Sequence, residues 1–309
     1  MRFAALSIVI VACLVAPGRA AAHSRAPTIA LDYRLELSRA TLPGVHAEVV
    51  DGDRALRVRV DATHRLLVRG LLGEPFLRFG PGGVWVNRAS PSADADRLAR
   101  RGSGWLRLTE GHSLLWHDHR LSPPAGLRAG KSAPWSLPIR LDGREVRLTG
   151  TFTRVARPPL WPWLVAALVA VAAVAFFARA RPGRRAETAA AIAGVAAAAA
   201  LTASAAFATG ESIARRAQWI EVGSAALLAV LAVAALVLGD RSLRTWAAMI
   251  VGVVAAAFGL GSLSVFWHGV VISSLPALFA RLATAVAVLG GPAAVVLAVL
   301  APNDRGVRR

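Results

Sequence analysis

Trp116-His117-Asp118-His119-Arg120 is the densest group of chemically capable side chains in the sequence. Successive residues of a strand point to opposite faces. If the preceding strand continues through this run, His117 and His119 share one face and Asp118 takes the other. Two imidazoles on one face chelate a metal such as copper or zinc. His112 lies nearby in sequence. His23 joins the set if a leader is cut just before it, because the new N-terminus adds an α-amino nitrogen to the imidazole. An amine plus imidazoles is a nitrogen-rich set that suits Cu(II). The candidate metal ligands are therefore His23, His112, His117 and His119, and the candidate ion is copper. The competing reading makes these histidines surface or structural residues, with Asp118 pairing with Arg120 or capping a turn.

A second distinctive run is Glu74-Pro75-Phe76-Leu77-Arg78-Phe79, followed by Gly82-Gly83-Val84-Trp85-Val86-Asn87-Arg88. It reads as a hairpin with an aromatic core face. Glu221 and Arg281 are ionisable residues inside apolar segments. Glu221 reads as an interfacial carboxylate that reaches water, or as a partner for Arg281, or as a proton or cation site. His268 follows Trp267 and reads as interfacial; His64 reads as a surface residue at a turn. The sequence contains no nucleophile elbow, phosphate loop or zincin helix. The expectation is a protein that is not an enzyme.

The elements that must position these residues change character at Pro158. Before it, apolar and polar residues alternate, as in Ala55-Leu56-Arg57-Val58-Arg59-Val60 and Tyr33-Arg34-Leu35-Glu36-Leu37. Period-two alternation puts one face on a core and one in water. Further strands are predicted at His46–Val50, Leu66–Leu71, Phe76–Phe79, Val84–Asn87, Trp105–Leu108, Ser113–Trp116, Trp135–Leu141 and Glu145–Phe152. Turns punctuate them at Asp51-Gly52-Asp53, Gly80-Pro81-Gly82-Gly83 and Asp142-Gly143. Short strands at ~8–12-residue spacing predict an all-β immunoglobulin-like sandwich over 23–157. Residues 88–104 lack apolar periodicity and read as a long loop.

After Pro158 the pattern predicts an all-α five-helix transmembrane bundle over 158–309. The spans are near 161–179, 187–209, 219–238, 245–267 and 275–301, each close to the ~20 apolar residues that a ~30 Å hydrocarbon core requires. Trp161, Trp163, Trp219, Trp246 and Trp267 stand at span ends, as in an interfacial aromatic belt. Gly290-Gly291-Pro292 falls in mid-span and predicts a kink. The spans are rich in small residues, which lets helices approach closely.

Residues 1–22 read as a signal peptide: Met1-Arg2, an apolar run from Phe3 to Val15, then small residues at 20 and 22. Cleavage after Ala22 leaves His23 first, and cleavage after Ala20 also fits. Ile10-Val11-Ala12-Cys13 resembles a lipobox. A removed leader puts the β-domain outside and the first span running inward. Nine arginines then fall on inner segments (Arg179, Arg181, Arg184, Arg185, Arg241, Arg244, Arg305, Arg308 and Arg309), against three on or near outer ones (Arg215, Arg216 and Arg281). That asymmetry follows the positive-inside rule. The predicted location is the plasma membrane, multi-pass, with an extracytoplasmic β-domain and a cytoplasmic C-terminus.

Composition narrows the partners. The chain has 36 basic residues against 18 acidic, and of the basic ones only Lys131 is lysine. Residues 23–157 hold 22 basic and 13 acidic side chains. The arginines read as scattered over strands rather than gathered in a basic stripe interleaved with stacking aromatics, which argues against nucleic acid. The only cysteine, Cys13, lies in the leader, so no disulfide braces the β-domain. The remaining partners are the lipid bilayer, a copper ion or another envelope protein.

The leader ending before His23, the run Gly73-Glu74-Pro75-Phe76-Leu77-Arg78-Phe79, the run Val84-Trp85-Val86-Asn87-Arg88-Ala89-Ser90-Pro91 and Trp116-His117-Asp118-His119-Arg120 together resemble a family of actinobacterial membrane proteins with an extracytoplasmic β-domain. The resemblance implies the architecture and brings no activity with it. In general layout the chain is also similar to copper-resistance proteins of the CopC/CopD type. The Asp-x-His pattern expected there is absent, since this chain has His117-Asp118-His119, and no copper residue carries over. Two functions stand: an extracytoplasmic ligand-binding β-domain handling copper, or a structural or interaction module of the envelope without metal or catalysis.

Overall fold

The computed structural model describes residues 29–38, 42–50, 55–210 and 216–301. The predicted leader with Cys13, its cleavage sites, His23, the turn at 51–53, Arg215, Arg305, Arg308 and Arg309 lie outside them. Contacts divide the chain into a β-rich unit, Ala30–Arg157, and a helical unit that takes Pro158 onward together with the residues up to Ile29.

The strands of the β-rich unit are β1 (Tyr33–Leu37), β2 (Val45–Val50), β3 (Ala55–Val60), β4 (Leu66–Arg69), β5 (Pro75–Gly80), β6 (Gly83–Asn87), β7 (Trp105–Thr109), β8 (Ser113–His117), β9 (Ser132–Leu141) and β10 (Arg144–Arg154). One seven-stranded sheet runs β1-β10-β9-β4-β5-β6-β7, and a three-stranded sheet runs β2-β3-β8. The pairs are antiparallel. β9 and β10 meet in a two-residue turn, Asp142-Gly143, with φ of 47° and 85°. Left-handed φ at both central positions suits a primed hairpin turn, and Asp-Gly is among the cheapest pairs to place there.

Period-two alternation decides which side chains go inside. Leu56, Val58 and Val60 of β3 are buried with Trp116 of β8. Leu66, Phe76, Phe79, Val84, Leu137, Ile139 and Phe152 of the larger sheet belong to the same apolar cluster. Burying each such side chain fully contributes ~1.5–3 kcal/mol. The expected 88–104 loop is not wholly irregular. Pro91–Ala95 forms a one-turn helix, α1, whose Ser90 cap accepts from Ser92 N–H at 3.2 Å.

Among its described residues the second unit has five helices long and apolar enough to cross a membrane: α2 (Trp161–Ala180), α3 (Arg185–Ala208), α4 (Arg216–Leu238), α5 (Arg241–Gly261) and α6 (Ala277–Val299). This is the architecture of a multi-pass membrane protein. A buried alanine stripe on α3, including Ala189, Ala193, Ala196, Ala200 and Ala203, lets it pack against α4, α5 and α6. The fourth helix is shorter than expected. It ends at Gly261, and Leu263–Phe266 form a 3₁₀ turn instead of a last helical turn. The Gly259-Leu260-Gly261-Ser262 run has low helix propensity, which locates the break. Pro292 lies inside α6 without ending it. The glycines before it serve close approach: a Cβ on Gly291 would lie 2.4 Å from the Gly252 carbonyl oxygen of α5.

Candidate functional site

The three runs singled out in the sequence supply three neighbouring polar clusters, joined through α1 and the β4–β5 turn. The first part gathers around Glu74, which follows the Gly70-Leu71-Leu72-Gly73 turn between β4 and β5. Glu74 Oε1 accepts from the Ser90 hydroxyl at 2.6 Å and the Ser92 hydroxyl at 2.9 Å. Oε2 accepts from Leu72 N–H at 2.9 Å. Ser92 Oγ in turn accepts from Leu71 N–H at 2.8 Å. The carboxylate thus ties the β4–β5 turn to the start of α1. Burial is the largest single influence on its pKa and pushes it up. The hydrogen bonds from Ser90, Ser92 and backbone N–H groups together outweigh burial and hold it below its ordinary value.

The second part is the Trp116–Arg120 run. β8 stops at His117, and Leu121 N–H donates to the Asp118 carbonyl at 2.9 Å to close a turn. The condition on which His117 and His119 would share a strand face, continuation of the strand through His119, is therefore not met. The reason is local. Asp118 Oδ1 accepts from Arg120 N–H at 2.9 Å and from Arg120 Nε at 2.8 Å, while Oδ2 accepts from Arg120 Nη2 at 2.6 Å and from Trp116 Nε1 at 3.1 Å. An aspartate that bonds the backbone two residues on competes with the ladder and favours a turn. Arg120 then reaches across: Nη1 donates to the Arg69 carbonyl at 2.9 Å, and its own carbonyl accepts from Trp135 Nε1 at 3.0 Å. Asp118 thus both pairs with Arg120 and caps the turn.

The third part is a contact between His119 Nδ1 and Asp96 Oδ1, at the C-terminal end of α1. The Asp96 side chain is 3% exposed and that of His119 58%. Burial, the largest effect, and the nearby Asp118 charge raise the Asp96 pKa; His119 and Arg120 draw it down by less, and the net direction is up. A buried carboxylate orienting an accessible imidazole is the base–orienter half of a general acid–base arrangement. Among the described residues no hydroxyl or thiol bonds to His119, so the nucleophilic half is not assembled there.

Of the proposed metal ligands, the described ones, His112, His117 and His119, form no metal-binding group. Among the described residues no group of three or more His, Cys, Asp or Glu side chains could hold a metal ion. His112 precedes β8 and His117 ends it, so strand rise separates them by about 17 Å. His119 faces Asp96 from the turn beyond. His23 lies outside the described residues. Among the described residues the copper expectation therefore finds no site.

The other candidates have structural partners. Arg281 donates to the carbonyls of Val265, His268 and Gly269 at 2.8, 3.0 and 3.5 Å, and no ion pair with Glu221 is found among the described residues. His64 Nδ1 lies 2.7 Å from Asp142 Oδ2, and Asp142 also accepts from Arg65 N–H at 2.8 Å. Sequence reasoning did not single out Asp96 or Ser92, and took in Ser90 only as part of the 84–91 run. One signal was available: Ser90 followed by Pro91 is a helix N-cap with proline at the first helical position. Comparison of the chain with protein-family models, with curated proteins and with solved structures finds no match.

Proposed function

We propose that the protein is a plasma-membrane protein whose β-rich unit stands on the extracytoplasmic side and serves as an interaction module of the envelope. Five helices anchor it, and neither a metal nor catalysis is required. The arginine asymmetry of the inter-helix segments and the leader-like start support that orientation. The observation that carries the functional reading is the closed network itself. Glu74, Ser90, Ser92, Asp118 and Arg120 direct their hydrogen-bonding groups to one another and to backbone, which fixes loops rather than a substrate. In fold terms we read the unit as a two-sheet sandwich, since one apolar cluster draws on both sheets. Its seven-plus-three division departs from the four-plus-three of a constant-type immunoglobulin domain.

The test has two arms on the full chain. Purified in detergent with its native N-terminus, it is titrated with Cu(II) and Zn(II) against a chromophoric chelator. The expected result is binding no tighter than that of surface histidines and unaltered by His117→Ala with His119→Ala. Tight binding lost in that variant would refute the metal-free reading. In cells, Ser136→Cys and Ser242→Cys are placed separately in a Cys13→Ser background and exposed to an impermeant thiol reagent. Ser136→Cys should label and Ser242→Cys should not; the reverse pattern overturns the orientation.

A further inference from the structure

Resting on the outward orientation proposed above, we infer that the outward face of the seven-stranded sheet, centred on Arg78 between Trp85 and Trp105, is a binding surface for an anionic glycan. Strand register builds this face as a row. Glu145 of β10 pairs with Arg140 of β9, Arg140 with Leu67 of β4, Leu67 with Arg78 of β5, Arg78 with Trp85 of β6, and Trp85 with Arg107 of β7. Directly paired residues share a face, so the row crosses six strands, about 24 Å at ~4.8 Å per strand. Arg147 lies on the same face two residues along β10 from Glu145, and Trp105 two residues along β7 from Arg107.

The centre of the row is built differently from its margins. The Arg78 guanidinium carbon stands 4.8 Å from the Trp85 ring centroid and 4.9 Å from that of Trp105. Both distances are in cation–π range, so the two indoles hold the guanidinium without using its N–H donors. Among the described residues Arg78 has no hydrogen-bond or ion-pair partner, so all five N–H donors remain available. Arg147 likewise has no ion-pair partner among the described residues. Three carboxylates lie on or against this face: Glu145, shared by Arg69 at 2.6 Å and Arg140 at 3.7 Å, Glu110, 3.0 Å from Arg107, and Glu36, opposite Thr151 of β10. None of them pairs with Arg78 or Arg147, so the centre of the face keeps its positive charge. A face of this sign asks for an anionic partner.

The aromatic component says which anion. A planar guanidinium with its N–H donors unengaged suits bidentate contact with a carboxylate, phosphate or sulfate group. The flanking indoles, with Trp105 37% exposed, offer apolar surface beside it. A polymer of sugar rings bearing acidic groups supplies both at a regular spacing. A charged peptide supplies the anion without the flat apolar ring. Single-stranded nucleic acid also combines charge with stacking surfaces, but a unit on the outer side of the membrane meets envelope polymers instead.

The experiment uses the full chain in detergent, immobilised, with four probes: alginate, neutral dextran, poly-glutamate and an oligo-dT strand. Alginate is expected to bind, weakening with added salt because the contact is ionic; dextran should not bind, and poly-glutamate and oligo-dT should bind at least tenfold more weakly. Arg78→Gln and Trp105→Ala should each lower alginate binding at least tenfold with an unchanged thermal transition, whereas Arg128→Gln, away from the row, should leave it unaltered. No alginate binding, binding indifferent to Arg78→Gln, or equal binding of poly-glutamate or oligo-dT overturns the inference. The cysteine-labelling arm separates the two proposals. A β-unit facing inward removes the glycan partner together with the orientation, while an outward unit that ignores alginate removes the glycan partner alone.

Discussion

Asp118→Ala is the most severe single test of the network. The Asp118 side chain is 1% exposed and that of Arg120 17%, so the pair sits largely out of water. The substitution removes four hydrogen bonds to the carboxylate: three from Arg120 and one from the Trp116 indole. It leaves a half-buried guanidinium whose only remaining anchor in this set is the Arg69 carbonyl. Removing one partner of a buried pair costs about 3–5 kcal/mol, most of it the stranded charge. The β-unit holds about 130 residues, and an unfolding entropy of ~2.1 cal/mol/K per residue turns that cost into a Tm drop of roughly 10–20 °C. Tryptophan fluorescence of the detergent-solubilised chain follows the transition, since Trp116 is itself in the network. The double variant Asp118→Ala with Arg120→Ala should be less destabilised than the sum of the singles, by at least ~1.5 kcal/mol, because removing both partners strands neither. A drop below ~3 °C for Asp118→Ala, or strict additivity in the cycle, would show that the pair is a surface contact and that the turn is held by something else.

Two further outcomes follow from other parts of the molecule. Glu74 has a folded pKa below its ordinary 4.5, so its stabilisation is present above that value and is lost as pH falls through the folded one; wild type should exceed Glu74→Gln in Tm by about 3–6 °C at neutral pH, and thermal scans at decreasing pH should show the gap closing on the acid side. In the bundle, a Cβ at Gly252 would lie 2.6 Å from the Gly291 carbonyl oxygen, whereas one at Gly223 meets nothing within 4 Å. Gly252→Val should therefore cost about 1–3 kcal/mol of overpacking, read as loss of monodisperse protein on heating in detergent, and Gly223→Ala should not; equal behaviour of the two would remove the close α5–α6 approach.

The parts of this fold that were legible in the sequence are those set by solvent. Alternation in Ala55–Val60 places Leu56, Val58 and Val60 inside because a strand with one wet face has no other way to bury them. The five spans were legible because length and apolar composition suffice to satisfy backbone inside a bilayer. The illegible parts depend on single polar contacts. α1 is too short to show a period, and it is held by Ser90, Ser92 and their bonds to Glu74, sixteen or more residues away. At His119 the sequence offered both a continuing strand and an Asp118 that pairs with Arg120 or caps a turn; hydrophobic pattern does not choose between them, and the bond to Arg120 N–H decides for the turn. The Arg78 row was hidden for a related reason: its members are scattered from 67 to 145 in sequence, and only strand order β10-β9-β4-β5-β6-β7 lines them up.

Arg120 and Arg78 show what this chain does with one residue type in two settings. Arg120 is fixed through its edges: Nε and Nη2 go to Asp118 and Nη1 to a backbone carbonyl, so the donors that could meet a ligand are already engaged. Arg78 is held by two indoles at 4.8 and 4.9 Å, contacts that engage none of its N–H donors. Each stacked pair contributes only ~0.5–1 kcal/mol at an exposed site, far less than a buried ion pair loses when broken. As a device for stability alone, stacking is therefore the weaker choice, and a glutamate opposite Arg78 would hold it at least as well. Stacking does one thing that ion pairing does not: it restricts an arginine's orientation without neutralising its charge or occupying its donors. That combination is useful where a guanidinium must wait for an anion, and it is why the exposed sheet face, rather than the histidine run, is where a partner of this protein is to be sought.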